Sequence, residues 1–231
     1  MVNLHYVYDP LCGWCYGAAP LVAAAREVVT VRAHGGGMMA GPNRQRVTAQ
    51  LRAYVAAHDQ RIAQASGQVF GDAYTHGLLL DTSAMLDSEP PIAAVLAADA
   101  AGGLGLDMLT RLQVAHYVGG RRIADRAVLI TLGEELGLDR SAFEQALQRT
   151  EGETTQRHIA ESRALLARLG GHGFPTFALE RGGRFELIDI SAYLARPRQW
   201  QAWLKTQVPA AALAGTVAEF GCSPQGCVIP D

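Results

Sequence analysis

The sequence lacks the features that would place the protein in a membrane or on nucleic acid. No stretch reaches the roughly 18 consecutive apolar residues that a membrane-spanning helix needs. Twenty basic residues are balanced by 22 acidic ones, the formal net charge is −2, and no basic run is present. A polyanionic partner selects for an excess of basic charge. We therefore expect neither a nucleic-acid nor a membrane partner.

The beginning of the chain also lacks a secretory signal, and cysteine is scarce. The first residues do not show a basic segment followed by an apolar stretch and a small-residue cleavage site. Four cysteines in a reducing compartment do not form a stabilising disulfide framework. We expect a cytoplasmic protein whose cysteines serve catalysis or metal binding.

Two of these cysteines stand at the junction of a predicted strand and a predicted helix. Residues 2–8 alternate in polarity and are rich in β-formers, whereas residues 18–27 are rich in alanine. Cys12 and Cys15 therefore lie on the first turn of the helix, where free backbone N–H groups and the helix dipole stabilise a thiolate. The three-residue spacing brings both sulfurs to one face. This pattern favours thiol–disulfide exchange, in which Cys12 attacks and Cys15 resolves the mixed disulfide.

The same spacing also occurs in zinc knuckles and in structural disulfides. The position between strand and helix favours the redox interpretation, since zinc knuckles more often lie in turns between short strands. No histidine stands at metal-ligand spacing from a second histidine or a carboxylate pair, so we expect no metal site. Asp9 is the only carboxylate close to the cysteine pair in sequence. It is either a proton relay for Cys15 or simply a turn residue.

The remainder of the chain adds a second strand, a long helical block and a further pair of strands. A β-branched run at 28–34 predicts a strand parallel to the first, with a right-handed crossover. Residues 43–169 are helical in period almost throughout; Asn43 and Ser88 are expected to cap two of the helices. Residues 174–188 predict two strands joined by a glycine turn, and a last helix follows.

This layout resembles the thioredoxin fold with a DsbA-type helical insertion. The motifs Cys12-Gly13-Trp14-Cys15 and Gly173-Phe174-Pro175-Thr176 carry the resemblance. More narrowly, the chain is similar to the cytoplasmic FrnE-like and DsbA-like thiol oxidoreductases. The resemblance implies an α/β fold with the helical insertion between the second and third strands.

The resemblance also implies a division into domains. Residues 1–42 and 170–206 would form the thioredoxin-like domain, 43–169 the inserted helical domain, and 207–231 a C-terminal tail.

Individual roles follow from the same resemblance. Pro175 would be in the cis form and lie against the redox pair, where it would keep metals and other thiols away from Cys12. The backbone of Phe174 would pair with an extended substrate, and Trp14 and Thr176 complete the expected substrate-binding set. Protein or small-molecule thiols and disulfides are the expected partners. No cofactor is expected beyond the cysteine pair, with glutathione as a candidate co-substrate.

Three functions remain open at this point. The first is a protein disulfide oxidoreductase or isomerase, whose direction depends on how the Gly-Trp dipeptide tunes the thiolate. The second is a glutathione-dependent transferase or isomerase of the kappa or 2-hydroxychromene-2-carboxylate type. Such enzymes rely on a single Ser or Cys, so Cys15 argues against this alternative. The third is a non-catalytic chaperone or binding protein that uses an apolar groove between the two domains.

Cys222 and Cys227 form a second pair near the end of the chain, spaced by four residues around Pro and Gly. One hypothesis is a second redox pair that exchanges with the first. The alternatives are a disulfide formed only in storage and a four-cysteine zinc site.

Overall fold

A computed structural model describes residues 2–208, which are organised on a four-stranded sheet. The strands are β1 (Val2–Tyr8), β2 (Thr30–Gly35), β3 (Gln45–Arg46), β4 (Met85–Leu86), β5 (Thr176–Arg181) and β6 (Arg184–Ile188). The main sheet has the order β2–β1–β5–β6, while β3 and β4 form a small separate sheet. β1 pairs parallel with β2 and antiparallel with β5, and β5 pairs antiparallel with β6. The sequence prediction of a parallel first pair and a later hairpin is confirmed.

Nine helices are described in the range 2–208. They are α1 (Gly13–Gly17), α2 (Ala19–Arg26), α3 (Ala49–Ser66), α4 (Glu89–Gly102), α5 (Gly105–Tyr117), α6 (Arg126–Glu135), α7 (Arg140–Thr150), α8 (Glu153–Arg168) and α9 (Pro197–Gln207). Short 3₁₀ or π turns occupy Gly41–Asn43, Ala73–Gly77, Leu78–Leu80 and Ser191–Tyr193. Helices α3 to α8 lie between β2 and β5, where the sequence predicts the helical insertion. The domain boundaries themselves stay a prediction.

Two details of the inserted block differ from the sequence prediction. Helix α3 begins at Ala49 rather than near Asn43, because the Thr48 hydroxyl caps it and accepts the Leu51 N–H at 3.1 Å. The residues ahead of Thr48 form a 3₁₀ turn and the strand β3, so the block is not wholly helical. Strands of two residues carry no periodicity, which is why the pattern missed them.

The core that supports the cysteine pair lies between the main sheet and the helices. Strand β1 is buried at every position from Asn3 to Tyr8. The Tyr6 ring stacks on Phe177 of β5 at 4.8 Å, and Trp200 of α9 is fully buried with its indole N–H on the Leu21 carbonyl at 3.0 Å. Within residues 2–208, no helix is both long and apolar enough to cross a membrane.

Candidate active site

The two cysteines of the first motif meet at the N-terminus of α1. Cys12 is the N-cap residue, and its Sγ accepts the Cys15 N–H at 3.4 Å. The Cys12 thiol also donates to the Phe174 carbonyl at 3.3 Å. Both residues are free thiols; Cys12 is 6% exposed and Cys15 is fully buried. The outer sulfur therefore occupies the helix terminus, where a thiolate is stabilised, and the inner one lies directly behind it.

The surroundings of Cys15 keep it protonated. Burial raises the pKa of the Cys15 thiol well above its usual value, and the neighbouring Cys12 adds to the increase. The Asp9 backbone N–H lies 3.5 Å from Cys15 Sγ and acts in the opposite direction. A thiol with a raised pKa is mostly protonated at physiological pH, which disfavours Cys15 as a first nucleophile.

Asp9 is fully buried at the carboxyl end of β1, and its carboxylate is saturated with hydrogen bonds. Oδ1 accepts the Leu11 N–H at 2.9 Å and the Ser88 hydroxyl at 3.0 Å, while Oδ2 accepts the Met38 N–H at 2.5 Å. Burial raises the pKa of Asp9 to about 6, although these hydrogen bonds oppose the increase. The turn role of Asp9 is confirmed by its bond to Leu11; the proton relay stays a prediction.

Ser88 stands at the predicted N-cap position of α4, but its side chain contacts the site instead of the helix end. The sequence predicts that Ser88 caps α4, but its hydroxyl makes no capping bond and donates to Asp9 instead. A capping hydroxyl accepts the backbone N–H of the second or third helical residue, and in α4 these are Pro90 and Pro91, which have no N–H. Ser88 Oγ instead accepts the Met39 N–H at 3.0 Å. Ser88 thus occupies the predicted N-cap position without the capping bond, and its hydroxyl ties α4 to the floor of the site.

The loop before β5 lies against the cysteine pair, as the family resemblance implies. The Phe174–Pro175 peptide bond is cis, and the Phe174 carbonyl is the group that contacts Cys12. Thr176 Oγ1 donates to the Gly173 carbonyl at 2.7 Å, so its hydroxyl closes the loop. A Cβ on Gly36 would lie 2.1 Å from the Phe174 ring, so only glycine leaves room for that side chain.

Two clefts open on either side of Trp14 and Phe174, and these two side chains line both. The first cleft has a volume of about 330 Å³ and includes Pro175, Asp189 and Ser191. The second cleft has a volume of about 250 Å³ and adjoins Cys12 itself. The sequence-predicted residues Trp14, Phe174 and Pro175 are thus brought together around Cys12, while Thr176 lies at the end of the loop.

Asp59 in the wall of the second cleft was not predicted from the sequence. It is 7% exposed, it accepts the Tyr74 hydroxyl at 3.1 Å, and burial raises the pKa of its carboxyl group to about 6. The sequence does contain a pattern that indicates burial of Asp59. The buried face of α3 is formed by residues at helical spacing, namely Asp59, Ile62 and Ser66.

The sequence predicts no metal site and a second cysteine pair near the end of the chain. In the part of the chain that the structure describes, no group of three or more His, Cys, Asp or Glu side chains could hold a metal ion. Cys222 and Cys227 lie outside the described residues.

Comparison with known proteins identifies the family. The family model of the DSBA-like thioredoxin domain matches residues 3–191. The structure is similar to cytosolic disulfide reductase DsbM from Pseudomonas aeruginosa, at 58% identity and a TM-score of 0.84, over 89% of this chain and 98% of that one. It is also similar to the same reductase with GSH, at 56% identity and a TM-score of 0.83, with the same two coverages.

A third similarity, at 18% identity and a TM-score of 0.55, is to a 2-hydroxychromene-2-carboxylate isomerase, over 91% of this chain and 98% of that one. At this identity it shows a shared fold alone. No protein of curated function matches the chain. The chain belongs to the DSBA-like thioredoxin domain family and is a thiol–disulfide oxidoreductase of that family.

Proposed function

We propose that the protein is a cytoplasmic disulfide reductase that uses the Cys12–Cys15 pair and takes its electrons from glutathione. The observation that carries the proposal is the position of Cys12. Its sulfur lies at the N-terminus of α1, borders a cleft, and has the buried Cys15 one turn behind it. The similarity to a cytosolic disulfide reductase, and to that reductase with GSH, supports the direction, the compartment and the co-substrate.

The reaction follows from the order of the two sulfurs. The Cys12 thiolate attacks one sulfur of a substrate disulfide, and the other sulfur leaves as a thiolate that takes up a proton. Cys15 then loses its proton and attacks the Cys12 sulfur, which releases the second substrate thiol and forms the Cys12–Cys15 disulfide. Two glutathione molecules reduce this disulfide and leave as oxidised glutathione. One substrate disulfide is thus reduced for every two glutathione molecules oxidised.

The first cleft offers groups that fit the glutathione peptide. It is lined by Pro175 at the cysteine end and by Asp189 and Ser191 further along. The Asp189 carboxylate accepts the Ser191 N–H at 2.8 Å, and hydrogen bonds from Ser191 lower the pKa of Asp189. An ionised carboxylate in the same cleft as Pro175 can pair with the ammonium group of glutathione while its thiol approaches Cys12.

The reduction potential of the Cys12–Cys15 pair tests the direction. The protein is equilibrated with glutathione buffers, and the free thiols are alkylated and counted by mass spectrometry. A reductase should give a value near about −270 mV, whereas a value of about −120 to −200 mV is typical of oxidases and isomerases. A pair that never forms a disulfide would overturn the proposal.

The Cys15→Ser variant separates the reductase from a glutathione transferase or isomerase. A dithiol reductase without its resolving sulfur should accumulate a mixed disulfide on Cys12, visible as a mass increase equal to the bound thiol. A transferase that relies on a single cysteine would keep most of its activity. Cys12→Ser serves as the control, since it should form no adduct.

A further inference from the structure

The second cleft beside Cys12 differs in chemistry from the first. Its walls are mostly apolar, with Met38, Met39, Leu51, Val55, Leu79 and Phe174 among the lining residues. Three tyrosines, Tyr54, Tyr74 and Tyr117, and Trp14 add aromatic rings. A cleft of this kind favours an apolar ligand, and aromatic faces also attract a weakly hydrated cation.

A single carboxylate lies in this apolar wall. Asp59 is the only acidic residue among the lining residues described, and it comes from α3 in the insertion. Its Oδ2 accepts the Tyr74 hydroxyl. Its Oδ1 lies 3.3 Å from the position that a Cβ on Gly13 would occupy, so this oxygen is directed towards the cysteine motif. A buried carboxylate that accepts one hydrogen bond from a tyrosine hydroxyl is costly to keep, which points to a functional role.

The other titratable groups that face the cleft do not neutralise Asp59. Burial lowers the pKa of His116 to about 4, so its imidazole is neutral at physiological pH. His58 also lines the cleft, with its Nδ1 bonded to the Tyr54 carbonyl at 2.8 Å; its charge lowers the pKa of Asp59, but the effect of burial is larger. Cys12 and the tyrosines contribute no positive charge. Asp59 therefore gives the cleft a negative potential.

We propose that the second cleft binds the half of the substrate disulfide that leaves in the first step, and that Asp59 selects a thiol carrying a positive charge on a short apolar arm. The inference rests on the proposed reductase function and names its substrate class. Glutathione is the other half of the disulfide and lies in the first cleft, where Asp189 can pair with its ammonium group. Attack by the Cys12 thiolate on the glutathione sulfur then forms a Cys12–glutathione disulfide and releases the cationic thiol.

Three mixed disulfides of glutathione test the proposal. In each compound one half is glutathione and the other half is a thiol of different charge. The first of these thiols is thiocholine, a permanent cation. The second is its neutral isostere 3,3-dimethylbutane-1-thiol, and the third is 2-mercaptoethanesulfonate, a permanent anion. Reduced protein is mixed with each compound in a single turnover, and release of the thiol other than glutathione is followed by stopped flow. Each rate is divided by the rate with dithiothreitol, which removes differences in leaving-group reactivity.

The reduced wild-type protein should prefer the cation to its neutral isostere by roughly tenfold, and the anion should be slowest. In Asp59→Asn the preference for the cation should fall to near parity. Asp72→Asn makes the same change in charge at a side chain that is 97% exposed, and it should keep the wild-type order. Equal cation-to-neutral ratios in wild type and Asp59→Asn would overturn the proposal.

The pH dependence of the wild-type protein gives a test that does not depend on folding of the variant. The charges of all three thiols are constant between pH 5 and 8, and ionisation of Cys12 cancels in the ratio. The cation preference should fall towards pH 5, as Asp59 takes up a proton. Protonation of His58 would act in the same direction, so His58→Gln is the control and should keep the decrease. A ratio that does not change with pH would overturn the proposal.

The design also separates this inference from the reductase function. Turnover with excess glutathione tests the function, whereas the single-turnover ratio needs only the reduced protein. A protein that shows the charge preference but no turnover would contradict glutathione as reductant and leave the cleft assignment standing. Turnover without the charge preference would contradict the cleft assignment and leave glutathione standing as the reductant.

Discussion

Two buried carboxylates flank the redox pair, and their surroundings differ. Asp9, beneath Cys15, accepts three hydrogen bonds, from Leu11, Met38 and Ser88. Asp59, in the wall of the second cleft, accepts one, from Tyr74. Burial raises the pKa of both carboxyl groups to about 6. The net penalty on the charged form is therefore similar in the two regions, but it is reached differently: Asp9 combines a larger desolvation cost with more hydrogen bonds, and Asp59 a smaller cost with one.

The difference separates a structural acid from a functional one. Asp9 joins the end of β1 to the loop after β2 and to the start of α4, so its charge organises three segments of the chain. Asp59 holds no distant segments apart from the Tyr74 hydroxyl, and its other oxygen lies towards the cysteine motif. A charge that costs stability without organising the fold is typical of residues kept for function.

Replacing Asp9 by alanine should have the largest effect. The substitution leaves the Leu11 N–H, the Met38 N–H and the Ser88 hydroxyl without their acceptor in the interior. Each unsatisfied buried donor costs about 1–3 kcal/mol, so the free energy of unfolding should fall by about 3–5 kcal/mol. Urea denaturation followed by circular dichroism measures the change. A loss below about 1 kcal/mol would show that Asp9 does not organise the fold.

Above pH 6, Asp59→Asn should change the free energy of unfolding in the direction opposite to Asp9→Ala. The folded pKa of about 6 lies above the unfolded value, so the wild-type protein is stabilised below pH 4 and loses this contribution as the pH rises through 6. The variant lacks this titration. Its free energy of unfolding relative to wild type should therefore increase by about 2 kcal/mol between pH 4 and pH 7.5.

Urea denaturation of both proteins at several pH values measures this difference, and the titration of Asp9 cancels because it occurs in both. A difference that stays constant with pH, or one that decreases, would contradict the charge-burial cost assigned to Asp59.

The contrast also explains what could be predicted from the sequence. The strand, the helix start and the Cys12–Cys15 spacing are local, and local periodicity and capping rules are sufficient to place them. The Pro175 loop is distant in sequence, but a motif identifies it. The bond between Asp9 and Ser88 joins residues 79 positions apart, and no local pattern records such a contact. Sequence rules therefore placed Ser88 correctly at the N-cap of α4 but could not show that its hydroxyl binds Asp9.

Asp59 was missed for a different reason. An acidic residue on an amphipathic helix is normally solvated, and burial of its side chain depends on how α3 packs over the cysteine motif. Its partner Tyr74 lies in a short π-helical turn that has no recognisable periodicity. The sequence could thus predict the cysteine pair at the helix start and the cis-proline loop, but not the buried carboxylate in the wall of the second cleft.

Ser88→Ala tests the Asp9 region with a smaller change. The fully buried hydroxyl donates to Asp9 and accepts the Met39 N–H, so its removal leaves one buried donor unsatisfied and weakens the support of the carboxylate. We expect a loss of about 1.5 kcal/mol in the free energy of unfolding at pH 7. The loss should be smaller at pH 4, because the Ser88 bond lowers the pKa of Asp9 and so favours its ionised form. The exposed Ser141→Ala is the control, with a change within about 0.5 kcal/mol.

Tyr74→Phe is the smallest and most specific test, because it removes only the hydroxyl that supports Asp59. The ring keeps its packing against Phe70, His116 and Tyr117, so the loss should come from one hydrogen bond to a carboxylate, about 1 kcal/mol at pH 8. The Tyr74 bond lowers the pKa of Asp59, so the loss should shrink below pH 4, where the acid is protonated in both proteins. It should also shrink in the Asp59→Asn background, where a double-mutant cycle isolates the pair. An equal loss at both pH values and in both backgrounds would mean that Tyr74 stabilises the fold through its ring alone, and Asp59 would then have no hydrogen bond to fix its orientation in the cleft.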